Sequence, residues 1–279
     1  KKMGNRTSNI QTSTEQWFEA CATGNADFIK NNVQAFKRKF DKSTNIAKRE
    51  KYIQLPNLTG MMYGIVFNRL DVVDLLLKYE YNVTTAETAI VPVLKTLPWP
   101  KSFISNETAL RIFNKNCCQI AQNSNCLELA LLVGNIAAFD VLMDFIANLP
   151  REQSSSLLRH SNRQGQNVLM MLIAFNNDVC NKIVRKHAPL LVHYQLAFTD
   201  LTGQNCITQS IKYNNEYCLQ FFLGLSIRHY TDITKLLKKV DLKSLNNKQL
   251  SLINEFKGRF STDQIQEQLR IEQLEQQQK

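Results

Sequence analysis

Apolar and polar residues follow a helical period along most of this chain, in short runs separated by Gly-Asn, Asn-Arg or Asn-Asn pairs. The stretch Asn57 to Thr84 shows the pattern best. Met61, Met62, Ile65 and Val66 lie on one face of a first short helix. Leu70, Val72, Val73, Leu75, Leu76 and Leu77, interrupted by Asp71 and Asp74, form the stripe of a second. Asn68-Arg69 between them predicts a tight turn, because asparagine tolerates left-handed backbone at little cost. Tyr81-Asn82-Val83-Thr84 then leans towards extended structure. The predicted unit is a helix, a turn, a second helix and an arm.

The same order recurs. Trp17 to Val33 has Ala20 and Cys21, a Gly24-Asn25 turn, then Phe28, Ile29 and Val33. Asn125 to Ile146 has Leu127 and Ala130, then Gly134-Asn135, then Phe139, Leu142 and Met143. NRQGQNVLMMLIAFNN from Asn162 and DLTGQNCITQSIKYNN from Asp200 carry one phrase twice, with Asn-Asn at the inner turn. Turn-to-turn spacings are 44, 66, 42 and 38 residues. The 66-residue gap predicts a degraded unit at 86–122, with helices over Glu87 to Leu97 and Asn106 to Ala121. Pro92, Pro98 and Pro100 bend it. Units are expected near 13–36, 57–84, 123–148, 162–188 and 200–226, with a degraded closing pair at 232–257 around Asn246-Asn247. A flexible tail is expected over 1–12. Ser261-Thr262-Asp263-Gln264 reads as a capping box that opens a Gln-rich helix over 261–279.

Helix, turn, helix and arm at such spacing resemble the ankyrin-repeat family, whose period is about 33 residues. LDVVDLLLKYEYNVT looks like the second half of one such repeat. The family's Thr-Pro-Leu-His phrase is replaced by Asn167-Val168-Leu169-Met170 and Asn205-Cys206-Ile207-Thr208. The resemblance implies an all-α helical repeat solenoid with irregular loops and a C-terminal helix. It also implies a concave groove lined by the last residues of each first helix and by the arms. The residues just before the inner turn are Thr23, Phe67, Val133, Phe175 and Tyr213. Phe67, Phe175 and Tyr213 are therefore expected as exposed groove anchors, with Lys212, Arg163, Gln164, Gln166 and Gln204 beside them.

Charge adds a second candidate surface. The 279 residues hold 34 Lys and Arg against 24 Asp and Glu, a net charge of +10. Such a balance favours an acidic partner, whether nucleic acid, an acidic protein surface or an anionic membrane. Lys37, Arg38, Lys39, Lys42, Lys48, Arg49 and Lys51 crowd the lengthened loop, against Asp41 and Glu50. Loops longer than their unit needs often carry function. Lys37, Arg38, Lys39, Lys48, Arg49 and Lys51 are the basic candidates there. Arg228 to Arg259 is a second basic run, with eight cations against Asp232, Asp241 and Glu255.

Catalytic chemistry finds little support. His160, His187, His193 and His229 sit in no ligand pattern, and Pro189 interrupts the helix that would align His187 with His193. The seven cysteines match no zinc or redox spacing and suit a reducing cytoplasmic compartment. Cys117-Cys118 are adjacent and point apart on a helix. No phosphate-binding loop, dinucleotide fingerprint or nucleophile elbow occurs. No cofactor or metal is expected. No apolar run reaches the roughly 18 residues of a membrane span, and no leader precedes the first unit, so the four Asn-x-Thr triplets are not expected to carry glycans. Met3-Gly4-Asn5-Arg6-Thr7-Ser8 matches a myristoylation pattern only if Met3 is the true start; membrane attachment is otherwise not expected. The expectation is a non-enzymatic scaffold with a protein partner. The alternatives are a subunit of a large assembly with an acidic surface, such as a microtubule or ribonucleoprotein, and more remotely a catalytic effector.

Overall fold

In the computed structural model of the chain, Gly24, Asn68, Gly134, Asn176 and Asn214 take φ of 83, 52, 78, 44 and 51°. These are the five predicted turn residues, and left-handed backbone is what each turn demands. The structure describes residues 5–44, 47–49, 52–86, 89–92, 118–120, 123–162 and 165–277. It divides into two units, Lys1–Arg163 and Gln164–Lys279. Among the described residues the fold is all-α, with fifteen α-helices and two short antiparallel ladders.

The first unit holds α1 (Asn5–Thr23), α2 (Ala26–Phe36), α3 (Gly60–Val66), α4 (Leu70–Glu80), α5 (Cys126–Val133), α6 (Ile136–Ala147) and α7 (Arg151–Leu158). Helices α1, α3 and α5 pack in sequence as one layer, and α2, α4 and α6 as another. Trp17, Phe18, Tyr63, Phe67 and Phe139 fill the space between them without exposure. Each hairpin is hooked to the one before it by the residue that follows the turn. Arg69 Nε donates to the Ala22 carbonyl at 3.0 Å, and Asn135 Nδ2 to that of Ile65 at 2.7 Å. Those carbonyls lie at helix C-termini, where no intrahelical donor remains for them.

The second unit holds α8 (Val168–Phe175), α9 (Asp178–Lys186), α10 (Ala188–Gln195), α11 (Cys206–Lys212), α12 (Glu216–Leu223), α13 (Tyr230–Leu237), α14 (Asn247–Gly258) and α15 (Thr262–Gln277). Again α8, α11 and α13 form one layer and α9, α12 and α14 the other. Asn215 Nδ2 donates to the Ile173 carbonyl at 3.1 Å, as Asn135 does in the first unit. Asparagine also opens the first helices. Asn125, Asn167 and Asn205 each accept an amide hydrogen bond of their own helix through Oδ1. Through Nδ2 they donate to the carbonyls of Leu157, Gln195 and Leu236. One side chain therefore caps one helix and ties down the end of another.

Several expectations are corrected. Helix α3 packs directly on α5 and α4 on α6, rather than on a further hairpin among the described residues. The chain instead leaves and returns through β1 (Ala47–Lys48) and β2 (Ile53–Gln54) in the lengthened loop, and through β3 (Ile90–Pro92) and β4 (Cys118–Ile120) in the long gap. Strands stand at 90–92 and 118–120 where helices were expected, because β-branched Ile90 and Val91 ahead of Pro92 suit extended backbone. The remainder of the expected pair, 93–117, lies outside the described residues, with Cys117, Pro98 and Pro100. The loops after α6 and α9 are lengthened because each holds a third helix, α7 and α10. Pro189 stands in the first turn of α10, where its missing amide costs no hydrogen bond. Residues 5–12, expected as a tail, already belong to α1. Tyr81 to Thr84 forms a turn and irregular backbone rather than a strand.

The closing pair is present as α13 and α14, although it lacks the tight turn. Asn246 is extended, with ψ 164°, and a 3-10 turn at Leu242–Ser244 precedes it. The Ser261 capping box forms reciprocally, with Ser261 N to Gln264 Oε1 at 2.9 Å and Gln264 N to Ser261 Oγ at 3.2 Å. The root of helix α15 is anchored by polar and aromatic contacts. Arg259 donates to the Leu223 and Leu225 carbonyls, and Phe260 stands edge-on to Tyr230. Among the described residues no helix is long and apolar enough to cross a membrane.

Candidate functional site

The lengthened loop of the first unit is held by a buried carboxylate. Asp41 is 2% exposed and accepts from the Tyr63 hydroxyl at 2.6 Å, Ser43 N at 2.9 Å and Gln54 Nε2 at 3.3 Å. The Tyr63 hydroxyl also accepts from Leu55 N at 2.6 Å. Burial, with the Asp41 charge beside it, pushes the Tyr63 phenol well above its usual range. Glu80 holds the start of the same loop. Its carboxylate accepts from Arg38 N and Met61 N, each at 2.8 Å. Burial raises its pKa, and those amide donors offset the rise only in part. Arg38 thereby takes a left-handed backbone, φ 63°.

The basic candidates separate once the loop is seated. Arg49 is exposed but already paired, with Nε on Gln54 Oε1 and one terminal nitrogen 2.8 Å from Glu15. Lys48 falls in β1, and Lys51 lies outside the described residues. Lys37, Arg38 and Lys39 come together with two residues that the sequence reading passed over, Lys78 and Tyr79. Lys37 Nζ and Lys78 Nζ stand 5.2 and 4.9 Å from the centre of the Tyr79 ring. Lys39 Nζ stands 4.7 Å from that of Phe36, and Arg38 Nη1 is 3.4 Å from the Tyr79 carbonyl. Phe36 is itself stacked on buried Trp17 at 5.5 Å. The cluster forms because α2 packs beside α4, which brings the C-terminal turns of the two helices together. Laying one hairpin over the next in the sequence is the signal that would have paired Lys78 with Lys37.

The expected groove row does not hold as one set. Phe67 has no exposed surface and stacks on Tyr63 at 5.9 Å, so it belongs to the core. Val133 is equally buried. In the second unit Phe175 and Tyr213 are half-buried and Lys212 is exposed. Their turns are joined directly, since Asn176 Nδ2 donates to the Tyr213 carbonyl at 2.9 Å. Lys212 Nζ lies 5.6 Å from the Tyr213 ring centre. Gln166 and Gln204, both half-buried, precede the first turns of α8 and α11, whereas Phe175 ends α8 and Tyr213 caps the end of α11. A helix of that length separates its ends by about 10 Å, so the glutamines do not join the aromatic pair. Arg163 and Gln164 lie outside the described residues.

The Gln204 loop is ordered by Asp200. Its Oδ1 accepts from Thr202 N, Thr202 Oγ1 and Gln204 N, and its Oδ2 from Gln209 Nε2. Desolvation is the largest single influence and acts upward, but these donors together outweigh it and hold the carboxyl below the ordinary aspartate value. Leu201 at the loop tip is 79% exposed.

The described cysteines outside β4 are buried, and burial is the main cause that pushes Cys126, Cys180, Cys206 and Cys218 up to about 12. Thiols held protonated act as small hydrophobes. His160 Nδ1 lies 3.0 Å from buried Glu128, which also accepts from Asn125 N in the helix cap. His187 caps α9 and is buried, and His193 lies edge-on to Tyr194. Among the described residues no three His, Cys, Asp or Glu side chains converge as metal ligands. No protein-family model matches the chain, and no curated protein matches it.

Proposed function

We propose that this chain is a divergent ankyrin-type repeat array that serves as a non-enzymatic interaction module. A protein partner would meet the row formed by Phe175, Lys212 and Tyr213. The observation that carries this reading is the hook between successive hairpins. Arg69, Asn135 and Asn215 stand at the same place after the turn, and each donates to the helix end of the preceding hairpin. A stack tied in this way has a regular row of turns that presents side chains at fixed intervals. Rigid half-buried aromatics on such a row have the character of interface anchors. The third helices α7 and α10, in the place of arms, mark the departure from the family pattern.

A photo-reactive phenylalanine analogue at position 213 tests the proposal in extract of the source cells. One discrete protein adduct is expected, and Lys212→Glu should abolish it. A smear matching that from the same analogue at exposed Lys257 would remove the reading. The four cations at 37–39 and 78 favour a second reading, a subunit seated on an acidic surface of a large assembly. Sedimentation separates the two: an adaptor runs as a well-behaved monomer, while an obligate subunit aggregates when isolated.

A further inference from the structure

The cations at the ends of α2 and α4 differ from the other charged contacts in the molecule. Arg49 has Glu15, Lys235 has Asp232 and Lys248 has Glu216. None of Lys37, Arg38, Lys39 and Lys78 has a carboxylate within ion-pair distance among the described residues. Two ammonium groups nevertheless converge on the one Tyr79 ring, which puts them no more than about 10 Å apart. Helix C-termini account for some of this, because Lys37 caps α2 and Lys78 lies in the last turn of α4. They do not account for Arg38 and Lys39, which lie beyond the end of α2 and are exposed. The platform is rigid. Phe36 rests on Trp17, and the backbone at Arg38 is pinned by Glu80.

We infer that Lys37, Arg38, Lys39 and Lys78 form a docking surface for a carboxylate-rich protein segment. The inference rests on the reading of the chain as an interaction module and names a partner class for it. Acidic side chains along an extended segment recur every 3.3 Å or so on alternating sides, which lets several reach ammonium groups within about 10 Å of one another. Nucleic acid fits less well. Typical duplex binders make on the order of 6–10 phosphate contacts, and four cations fall short of that. Single strands bind by stacking bases on open aromatic faces. Here the rings are half-buried with ammonium groups held against them. The one guanidinium has a terminal nitrogen 3.4 Å from the Tyr79 carbonyl.

The test uses the full chain and a fluorescein-labelled peptide of twelve alternating Glu and Asp residues, read by anisotropy at several salt concentrations. A glutamine peptide, a single-stranded oligonucleotide and a short duplex are titrated in parallel. The substitutions Lys37→Gln, Arg38→Gln, Lys39→Gln and Lys78→Gln are combined in one variant. A control combines Lys238→Gln, Lys243→Gln, Lys257→Gln and Arg270→Gln, which removes the same charge elsewhere. Melting curves confirm that both fold, and Lys78→Glu alone serves if the first does not. The acidic peptide should lose at least tenfold in affinity with the cluster variant (or about fivefold with Lys78→Glu), and less than threefold with the control. Equal losses in both variants, or no binding of the acidic peptide to the parent chain, would overturn the proposal. So would tighter binding of an oligonucleotide whose salt slope falls by about 0.9 for each cation removed. Failure here with the position-213 adduct intact discards this surface alone. A missing adduct with the peptide still bound discards the turn row instead.

Discussion

At the scale of single residues, the buried side chains of the first unit set the largest expected effects. Tyr63→Phe leaves the Leu55 amide without its acceptor and takes a donor from buried Asp41. The loss should be about 1–3 kcal/mol, measured by urea unfolding. Phe67→Ala should cost roughly 3–5 kcal/mol, since the ring is wholly buried against Tyr63. Phe175→Ala, at a half-buried site, should cost clearly less, and equal losses would put Phe175 in the core as well. Asp200 makes a pH prediction of definite sign. Its folded pKa is depressed, so the stability it contributes is present above the ordinary value of 3.8 and is lost as pH falls through the lower folded value. The amide resonances of Thr202 and Gln204 should therefore titrate with a midpoint below 3.8, and an ordinary midpoint would mean that the loop bonds do not hold.

Between elements, asparagine does two jobs that hydrophobic patterning does not reveal. Asn215 accepts from Cys218 N at the start of α12 and donates to Ile173 at the end of α8. Asn215→Ala removes a cap and a hook together, whereas Asn215→Asp keeps the cap and loses the hook. The alanine variant should lose about 1–2 kcal/mol, and aspartate should recover only part of it. Full recovery by aspartate would show that the hook contributes nothing. The asparagines were visible in the sequence as turn markers, and their turns form as read. Their second partners were not visible, because a carbonyl 42 residues away leaves no mark on local periodicity. The helices α7 and α10 were missed for a related reason. Each is only eight residues long and follows a proline or carries one in its first turn, so its signal resembles that of a loop.

For the whole molecule, α3 packs directly on α5 although 66 residues separate Asn68 from Gly134. The β3–β4 ladder pairs Pro92 with Cys118, so the chain before residue 93 and after residue 117 meets at one place. Replacing residues 93–117 with Asn-Gly should leave the helical content and the melting transition of the rest of the chain nearly unchanged. Collapse of the transition would show that the segment supports the stack. Spacing arithmetic alone had made 66 residues into two periods. Counting residues cannot distinguish a unit that stacks from a segment that leaves the stack and returns.

The sequence by itself determined the paired helices on either side of the five left-handed turns, those turns, and the capping box at Ser261. All of these follow from interactions within a few residues: apolar period, φ preference and the reach of a side chain to the next turn. Only the tertiary structure decided that Phe67 is core while Phe175 and Tyr213 stay half-exposed. Likewise it engaged Arg49 with Glu15 and grouped Lys37, Arg38 and Lys39 with Lys78 and Tyr79. Exposure and charge pairing depend on which helix packs against which. That choice is made by contacts between residues tens of positions apart, where equal places in successive repeats meet unequal neighbours.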